Sequence, residues 1–454
     1  MQFPIFQVPY LGNGLTIALD GIVHVVISHG FAIGAMAIIV LSEYLGFKNS
    51  SRRWESFAKD FLRFSVIIIT GVGAVTGVGL WLITSALSPR SIGSMLRVFF
   101  WPWFLEWIVF SLEVSVLLIY YFLWDRWSAK KKKQHIRLGF SYVLLALFSA
   151  VLITGILGFM LTPDGWPWNK SFWAAFFNPS FLPQLLLRTG LSFIMGAVFS
   201  AGYCLATRRD ADFRREALRL CGKVALVLFA VTAVASAWYL QSIPSRFRTH
   251  AAFAILTSKL SQHPELFYLI NAAGALILVA FALLSLRGSS SILRALLVPA
   301  LLFSLGFVSE FERIREFTRG PYLMPGYMYS NQVLLEENPF YNEAGLLKNS
   351  FWFNKTTDNP DPIKQGVYLF AQNCSSCHTI SGINDIKDRV QGRTEDGIYV
   401  ILGHTREMVP FMPPFSGTEE ERKILAHFFF ALSEGEIKLG APSRFAPLAG
   451  SKNE

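Results

Sequence analysis

The chain has 454 residues, of which 52% are hydrophobic, 15% aromatic and only 16% charged, and its mean hydropathy is +0.41. A soluble globular protein carries roughly 25% charged residues, so the deficit excludes an ordinary soluble enzyme and points to lipid. The formal net charge of +10 does not indicate nucleic acid, because no nucleic-acid motif accompanies it and the basic residues gather in short stretches between apolar runs.

The N-terminus, MQFPIFQVPYLGNG, has no basic n-region and no small-residue cleavage site, so the first span is expected to be its own targeting element. A bilayer core of ~30 Å needs about 20 apolar residues as helix. Eight stretches qualify, at about 15–45, 63–87, 98–124, 138–161, 182–206, 221–241, 265–286 and 292–309. The loops 48–63, 125–137, 207–223 and 286–294 hold most of the Lys and Arg between spans. The alternate set, 88–97, 162–181 and 242–264, is far poorer taken together. The positive-inside bias makes the first set cytoplasmic and places both termini outside. Trp101, Trp103, Trp166, Trp168 and Trp173 then belong to the outer aromatic belt. Cys204 and Cys221, near the inner ends of two spans, are read as inert apolar packing. The expected fold is all-α: a polytopic bundle of about eight spans over residues 1–310, followed by a second helical domain.

Past residue 310 the composition changes. Residues 311–360 read as a linker with Gly, Pro and Asn, 361–437 as a compact domain of short helices, and 438–454 as a disordered tail. That domain holds Cys374-Ser375-Ser376-Cys377-His378, a C-x-x-C-H motif. Two such thiols add across the vinyl groups of one haem, and the adjacent histidine becomes the proximal iron ligand. Upstream, Val367, Phe370 and Ala371 recur at helical spacing, suited to packing on a porphyrin. Downstream stands Met412-Pro413-Pro414-Phe415. Met412 is the candidate second axial ligand, with prolines holding the chain open, and Met408 is the competing thioether. Residues Ser416 to Glu421 read as the cap of a final helix. A bare C-x-x-C-H also suits a zinc knuckle, but the Met-Pro-Pro motif and terminal helix weigh against that. The segment 361–437 resembles class I cytochrome c, which implies one covalent haem c and one-electron transfer.

Ionisable residues inside spans are costly and hence functional candidates. Four stand out: His24, Glu106, Glu113 and Glu310. At 1.5 Å per residue, His24 lies roughly 14 Å, Glu106 roughly 12 Å and Glu113 roughly 22 Å from the outer face. Glu310 sits at the outer end of the eighth span. His24, Glu106 and Glu310 are therefore expected to converge in the outer half of the membrane, where imidazole and carboxylate suit haem iron. Glu113, deeper, suits either a proton path from the cytoplasm or a hydrogen-bonded core position. His29 is about 140° round the helix from His24 and is read as structural. His135, in a cytoplasmic loop, and His250 and His263, in an outer loop, are not read as ligands.

A family resemblance rests on Gly21-Ile22-Val23-His24, on Gly73-Ala74-Val75-Thr76-Gly77-Val78, and on Leu105-Glu106 through Leu112-Glu113 to Trp124-Asp125-Arg126. Its last element is Gly306-Phe307-Val308-Ser309-Glu310. Together these resemble subunit I of cytochrome bd oxidases over roughly residues 10–315. The resemblance implies that His24, Glu106 and Glu310 serve two high-spin haems of b and/or d type where oxygen is reduced, with Glu113 as the second acid of span three. It also implies a second membrane subunit and a bacterial cytoplasmic membrane; the loop charges place the haem c domain outside.

The departures are informative. Where the family has a histidine before threonine in span five, as ligand of a low-spin haem b, this chain has Arg188-Thr189, and span seven offers no methionine as partner. The stretch 242–264 is short for the family's quinol loop, and FERIREFTRGPY replaces the Gly-Arg-Gln-Pro-Trp signature. Glu106 and Glu113 are one residue closer than in the family pattern. The combined expectation is a bd-like oxidase without a quinol site, fed by a cytochrome c or similar donor through its own haem c. Two alternatives are a non-oxidase haem relay within a larger respiratory complex and a structural anchor for the cytochrome c domain.

Overall fold

The computed structural model describes residues 6–127, 131–256, 263–350, 353 and 361–437. Among these, eight helices are long and apolar enough to cross a membrane: Asn13–Lys48, Arg52–Leu87, Phe100–Trp127, Lys132–Phe159, Phe172–Ala206, Ala211–Ser242, Glu265–Arg287 and Ser291–Thr318. They are spans one to eight below. The eight expected stretches are all present, so the chain is the all-α membrane bundle its composition predicts. The helices run beyond the apolar runs because polar caps, not the lipid boundary, end them. Asp210 accepts from the Phe213 amide at 2.9 Å at the start of span six, and Ser290 from the Leu293 amide at 3.1 Å at the start of span eight. Side chains such as Leu82, Leu144, Val234 and Leu276 stay exposed on the outside of the bundle, as lipid-facing residues do.

Consecutive spans pack as neighbours, and span five also lies against spans one and eight. Spans one and five cross at Gly34 and Gly196, where a Cβ on Gly34 would stand 2.0 Å from the Ser192 carbonyl oxygen. Only glycine permits this approach, the small-residue packing on which membrane helices depend. Two short π-helical segments interrupt the α-helices, Ser28–Ala35 in span one and Ile69–Gly73 in span two. The fourth helix begins at Lys132, so His135 lies within it and not in a loop as expected. There it is buried, with Nδ1 2.6 Å from Glu43 Oε1 and Nε2 2.8 Å from the Tyr120 carbonyl. Lys132 Nζ sits 2.8 Å from the same Glu43 carboxylate, and the Tyr120 hydroxyl donates to it at 2.6 Å. Pairing of these groups is what lets charge sit inside the bundle. His250 likewise lies in a helix, Ser245–Leu256. Cys204 and Cys221 are buried among apolar neighbours.

Much of the expected linker is structured. Span eight continues to Thr318, and an antiparallel hairpin follows, Tyr322–Met324 with Met328–Tyr329. Met324 and Met328 pack on Phe99, Phe159 and Trp166 at the end of the bundle. Tyr341, in the helix Glu337–Ala344, joins the core of the C-terminal domain with Val333, Leu346 and Leu347. Residues 354–360 and the tail 438–454 lie outside the described residues. In the C-terminal domain the helices Pro362–Asn373 and Glu419–Ser433 pack together, with Phe370, Phe428 and Phe429 buried between them.

Candidate functional site

His24 stands just before the π-helical segment of span one, and its imidazole reaches span two. Nδ1 lies 3.1 Å from the Gly73 carbonyl and 3.3 Å from Thr76 Oγ1. A hydrogen bond to that carbonyl fixes Nδ1 as the protonated nitrogen, which leaves Nε2 with a free lone pair. The carbonyl comes from the last residue of the span-two π segment, and such segments recur at functional sites. Gly77 completes the cradle: a Cβ there would stand 2.9 Å from His24 Cε1. Thr76 and Gly77 belong to a motif legible in the sequence, but their role beside His24 follows only from the packing of spans one and two.

The carboxylates divide between helix faces. Glu106 turns to span four, within hydrogen-bonding reach of Ser149, and Glu113 lies on the same face two turns deeper, beside Tyr142. Span eight, with Glu310, packs against span one, with His24. All four residues are half-buried. No hydrogen bond or ion pair among the described residues joins His24, Glu106 and Glu310 to one another. His29 faces span five, its Nε2 3.4 Å from Arg188 Nη1.

In the C-terminal domain Cys374 and Cys377 are free thiols. His378 Nδ1 lies 3.2 Å from the Asn384 carbonyl, and the Asn384 side chain returns a bond to the Cys377 carbonyl at 2.6 Å. Burial, with Arg389 nearby, lowers the imidazole to about 4. It is therefore neutral near pH 7, with Nε2 available as a metal ligand. Asn384, at φ 59, carries no sequence signature that would have singled it out. Met412 is half-buried on a loop pinned by Thr405, whose hydroxyl donates to the Pro413 carbonyl at 2.8 Å. Met408 is 56% exposed at the end of a short helix. Among the described residues no three His, Cys, Asp or Glu side chains cluster to hold a bare metal ion, as a zinc knuckle requires. Free paired thiols beside an oriented, neutral imidazole fit a covalent haem, and the cradled His24 fits a haem iron.

The two parts meet at a defined seam. A Cβ on Gly14, in the first turn of span one, would stand 2.5 Å from the Ser376 carbonyl oxygen, and Ile383 donates to the Tyr10 carbonyl at 2.7 Å. At the other end of the chain's membrane part, a Cβ on Gly320 would stand 2.6 Å from Phe411 Cβ.

The family model described as cytochrome bd terminal oxidase subunit I matches residues 15–271, more than half of the chain. The chain belongs to this family. His24, Glu106, Glu113 and Arg188 fall inside the matched region, whereas Glu310 lies beyond it. A second model, described as cytochrome c oxidase, cbb3-type, subunit III, matches residues 361–429. The structure of bd oxidase from Geobacillus thermodenitrificans shares the fold, with a TM-score of 0.60 at 19% identity over 70% of this chain and 88% of that one. No curated protein sequence matches the chain. Both resemblances read from the motifs are borne out, and this bd-family chain is a haem-containing respiratory membrane oxidoreductase with a cytochrome c domain attached.

Proposed function

We propose that this chain is the catalytic subunit of a bd-like terminal oxidase that takes electrons from a cytochrome c-type donor through its own haem c and lacks a quinol site. The observation that carries the reading is the seam. The C-x-x-C-H loop rests on Gly14, and His24 is ten residues further along the same helix, about 15 Å at 1.5 Å per residue. Cys374 and Cys377 would anchor the haem c, with His378 and Met412 on its iron. His24, Glu106 and Glu310 would serve two membrane haems of b and/or d type. Bound haems supply electron transfer and the reduction O2 + 4 e− + 4 H+ → 2 H2O. The protein's part is to hold them, through the Gly73 and Thr76 bonds that aim His24, and to deliver protons. Glu113, two turns deeper than Glu106 on the same face of span three, suits that delivery.

Support for the missing low-spin haem comes from Arg188. At the position of the family's low-spin haem ligand it is 2% exposed and stands 2.5 Å from Glu312, so a paired guanidinium occupies the place of an imidazole. The functional division follows: a haem-binding membrane domain over 1–310 whose last helix runs on to Thr318, a connecting segment to 360, a cytochrome c domain over 361–437 and a tail over 438–454. The seam end of the bundle lies opposite the basic loops, which supports an outward-facing cytochrome c domain in a bacterial cytoplasmic membrane. Family membership supports a second membrane subunit. The test is oxygen uptake by the purified complex with a haem inventory and a reduced-plus-CO difference spectrum. Uptake driven by reduced cytochrome c and not by quinol is expected. Quinol oxidation that survives loss of haem c, or the absence of any CO-reactive haem, would overturn the reading.

A further inference from the structure

A continuous line of charged side chains runs from the middle of the bundle to the cytochrome c domain. Arg188 Nη1 is 3.4 Å from His29, and its Nη2 is 2.5 Å from Glu312. Arg315 donates to Glu312 at 3.1 Å and to Glu316 at 2.9 Å, and Arg319 pairs closely with Glu316. Arg188, Arg315 and Arg319 are 2%, 5% and 7% exposed. Four of these residues follow one another on the seam end of span eight, and that end is built into the cytochrome c domain. The Phe317 and Phe411 rings meet edge to face at 5.6 Å, and Gly320 abuts Phe411, the residue before Met412. On the other side, Glu316 and Arg319 are the charged neighbours of Cys377. Arg319 immediately precedes Gly320, and its guanidinium is held by Glu316, by the Leu323 carbonyl at 3.1 Å and by Met160 Sδ at 3.6 Å.

Three guanidiniums stand against two carboxylates in this line, and Arg315 Nη1 has no hydrogen-bond partner among the described residues. The line therefore leaves a positive excess: the three guanidiniums are buried, where solvent and salt screen little, whereas Glu316 is 43% exposed and its charge is screened more. We infer that the Arg188–Arg319 line of ion pairs is a potential-setting and positioning element. It places positive charge beside the loop that carries Met412 and would stabilise the reduced haem. Reduction brings one electron from the donor to the haem and no proton need follow, because the guanidiniums already balance the added charge. The basic group on the other side of the His378 loop, Arg389, is bound to Asn384 next to Asp385.

This inference rests on the C-x-x-C-H motif carrying haem c, and a potentiometric titration of haem c absorbance in the purified holo complex separates the two. Arg319→Gln should lower the reduced-to-oxidised ratio at a fixed potential about tenfold, a shift of roughly 59 mV for one electron. Glu316→Gln should raise it, and Arg319→Lys should stay near the wild type. A merely structural role would move both neutralising variants the same way. That result, or no movement in either while the covalent haem and its sulphur ligation persist, overturns the inference. Should Arg319→Gln fail to assemble, the sign of the Glu316→Gln shift decides alone. Absence of covalent haem from the wild-type protein would instead overturn the haem c reading itself.

Discussion

Gly14 of span one lies against the carbonyl oxygen of Ser376, the residue just before the second thiol of the C-x-x-C-H motif, so closely that a Cβ would come within 2.5 Å of it. The helix carrying His24 therefore begins where the cytochrome c loop ends. The first turn is held independently: Asn13 donates to the Phe6 carbonyl at 2.7 Å and accepts from the Val8 amide at 3.0 Å. Neither partner has room to yield.

Gly14→Val should separate the two haem sites without emptying either. Covalent haem and CO-reactive haem should remain at wild-type levels, while electron transfer between them slows roughly ten- to a hundredfold, the scale of a 1 Å misplacement. Stopped-flow reduction followed at the haem c and membrane-haem bands checks this. Unchanged internal transfer would show that the seam does not set the route.

The His24 cradle makes a second prediction. A methyl group at position 77 would meet the imidazole edge at 2.9 Å, and the Gly73 and Thr76 bonds leave the ring no alternative tilt. Gly77→Ala should therefore reduce membrane-haem occupancy and the CO difference signal, and Thr76→Val should do so more weakly. Loss of an orienting partner typically costs 10–100-fold in metal affinity or activity. Haem c content, measured by pyridine haemochrome, should be unaffected in both.

The parts of this molecule that were legible in the sequence are those with a local code. Eight apolar runs gave eight spans, and C-x-x-C-H with Met-Pro-Pro marked a covalent haem domain. Contacts made across helices were not legible. The reach of His24 to Gly73 depends on two π-helical segments that no 3.6-residue periodicity reveals. The burial of His135 depends on Glu43, 92 residues away in the chain, so a basic, loop-like composition misplaced it. The ordering of the hairpin at 322–329 depends on the bundle end that covers Met324 and Met328, although its own Gly and Pro content reads as linker.

Glu421 tests how the cytochrome c domain is held closed. Its carboxylate caps the terminal helix, accepting from the Thr418 amide at 3.0 Å, and also accepts from the Leu346 and Leu347 amides at 2.8 and 2.7 Å. It is 7% exposed, so removal would leave the two buried amides of Leu346 and Leu347 without this acceptor, along with the half-buried amide of Thr418. Glu421→Ala should cost roughly 3 kcal/mol or more, read as a lower midpoint for loss of the oxidised haem c spectrum on heating. Glu420→Ala, on the outer face of the same helix, should change little.

The pair at the centre of the bundle makes a final, asymmetric prediction. Glu312 is approached by two guanidiniums, Arg188 at 2.5 Å and Arg315 at 3.1 Å, whereas Arg188 has one carboxylate, the face of the Phe311 ring at 5.1 Å and the His29 ring. Arg188→Met therefore leaves Glu312 with its second partner, but Glu312→Gln leaves Arg188 buried with no counter-charge. Breaking a buried pair in that way costs about 3–5 kcal/mol. Glu312→Gln should thus lower the unfolding midpoint in detergent more than Arg188→Met does. The double variant should recover most of the loss, because no unpaired charge then remains. Arg188→His alone should bring no low-spin haem spectrum, since Glu312 still fills the space beside it and span seven contains no methionine. Equal losses in the two single variants, with no recovery in the double, would mean that the pair is not the counterbalanced unit its geometry describes.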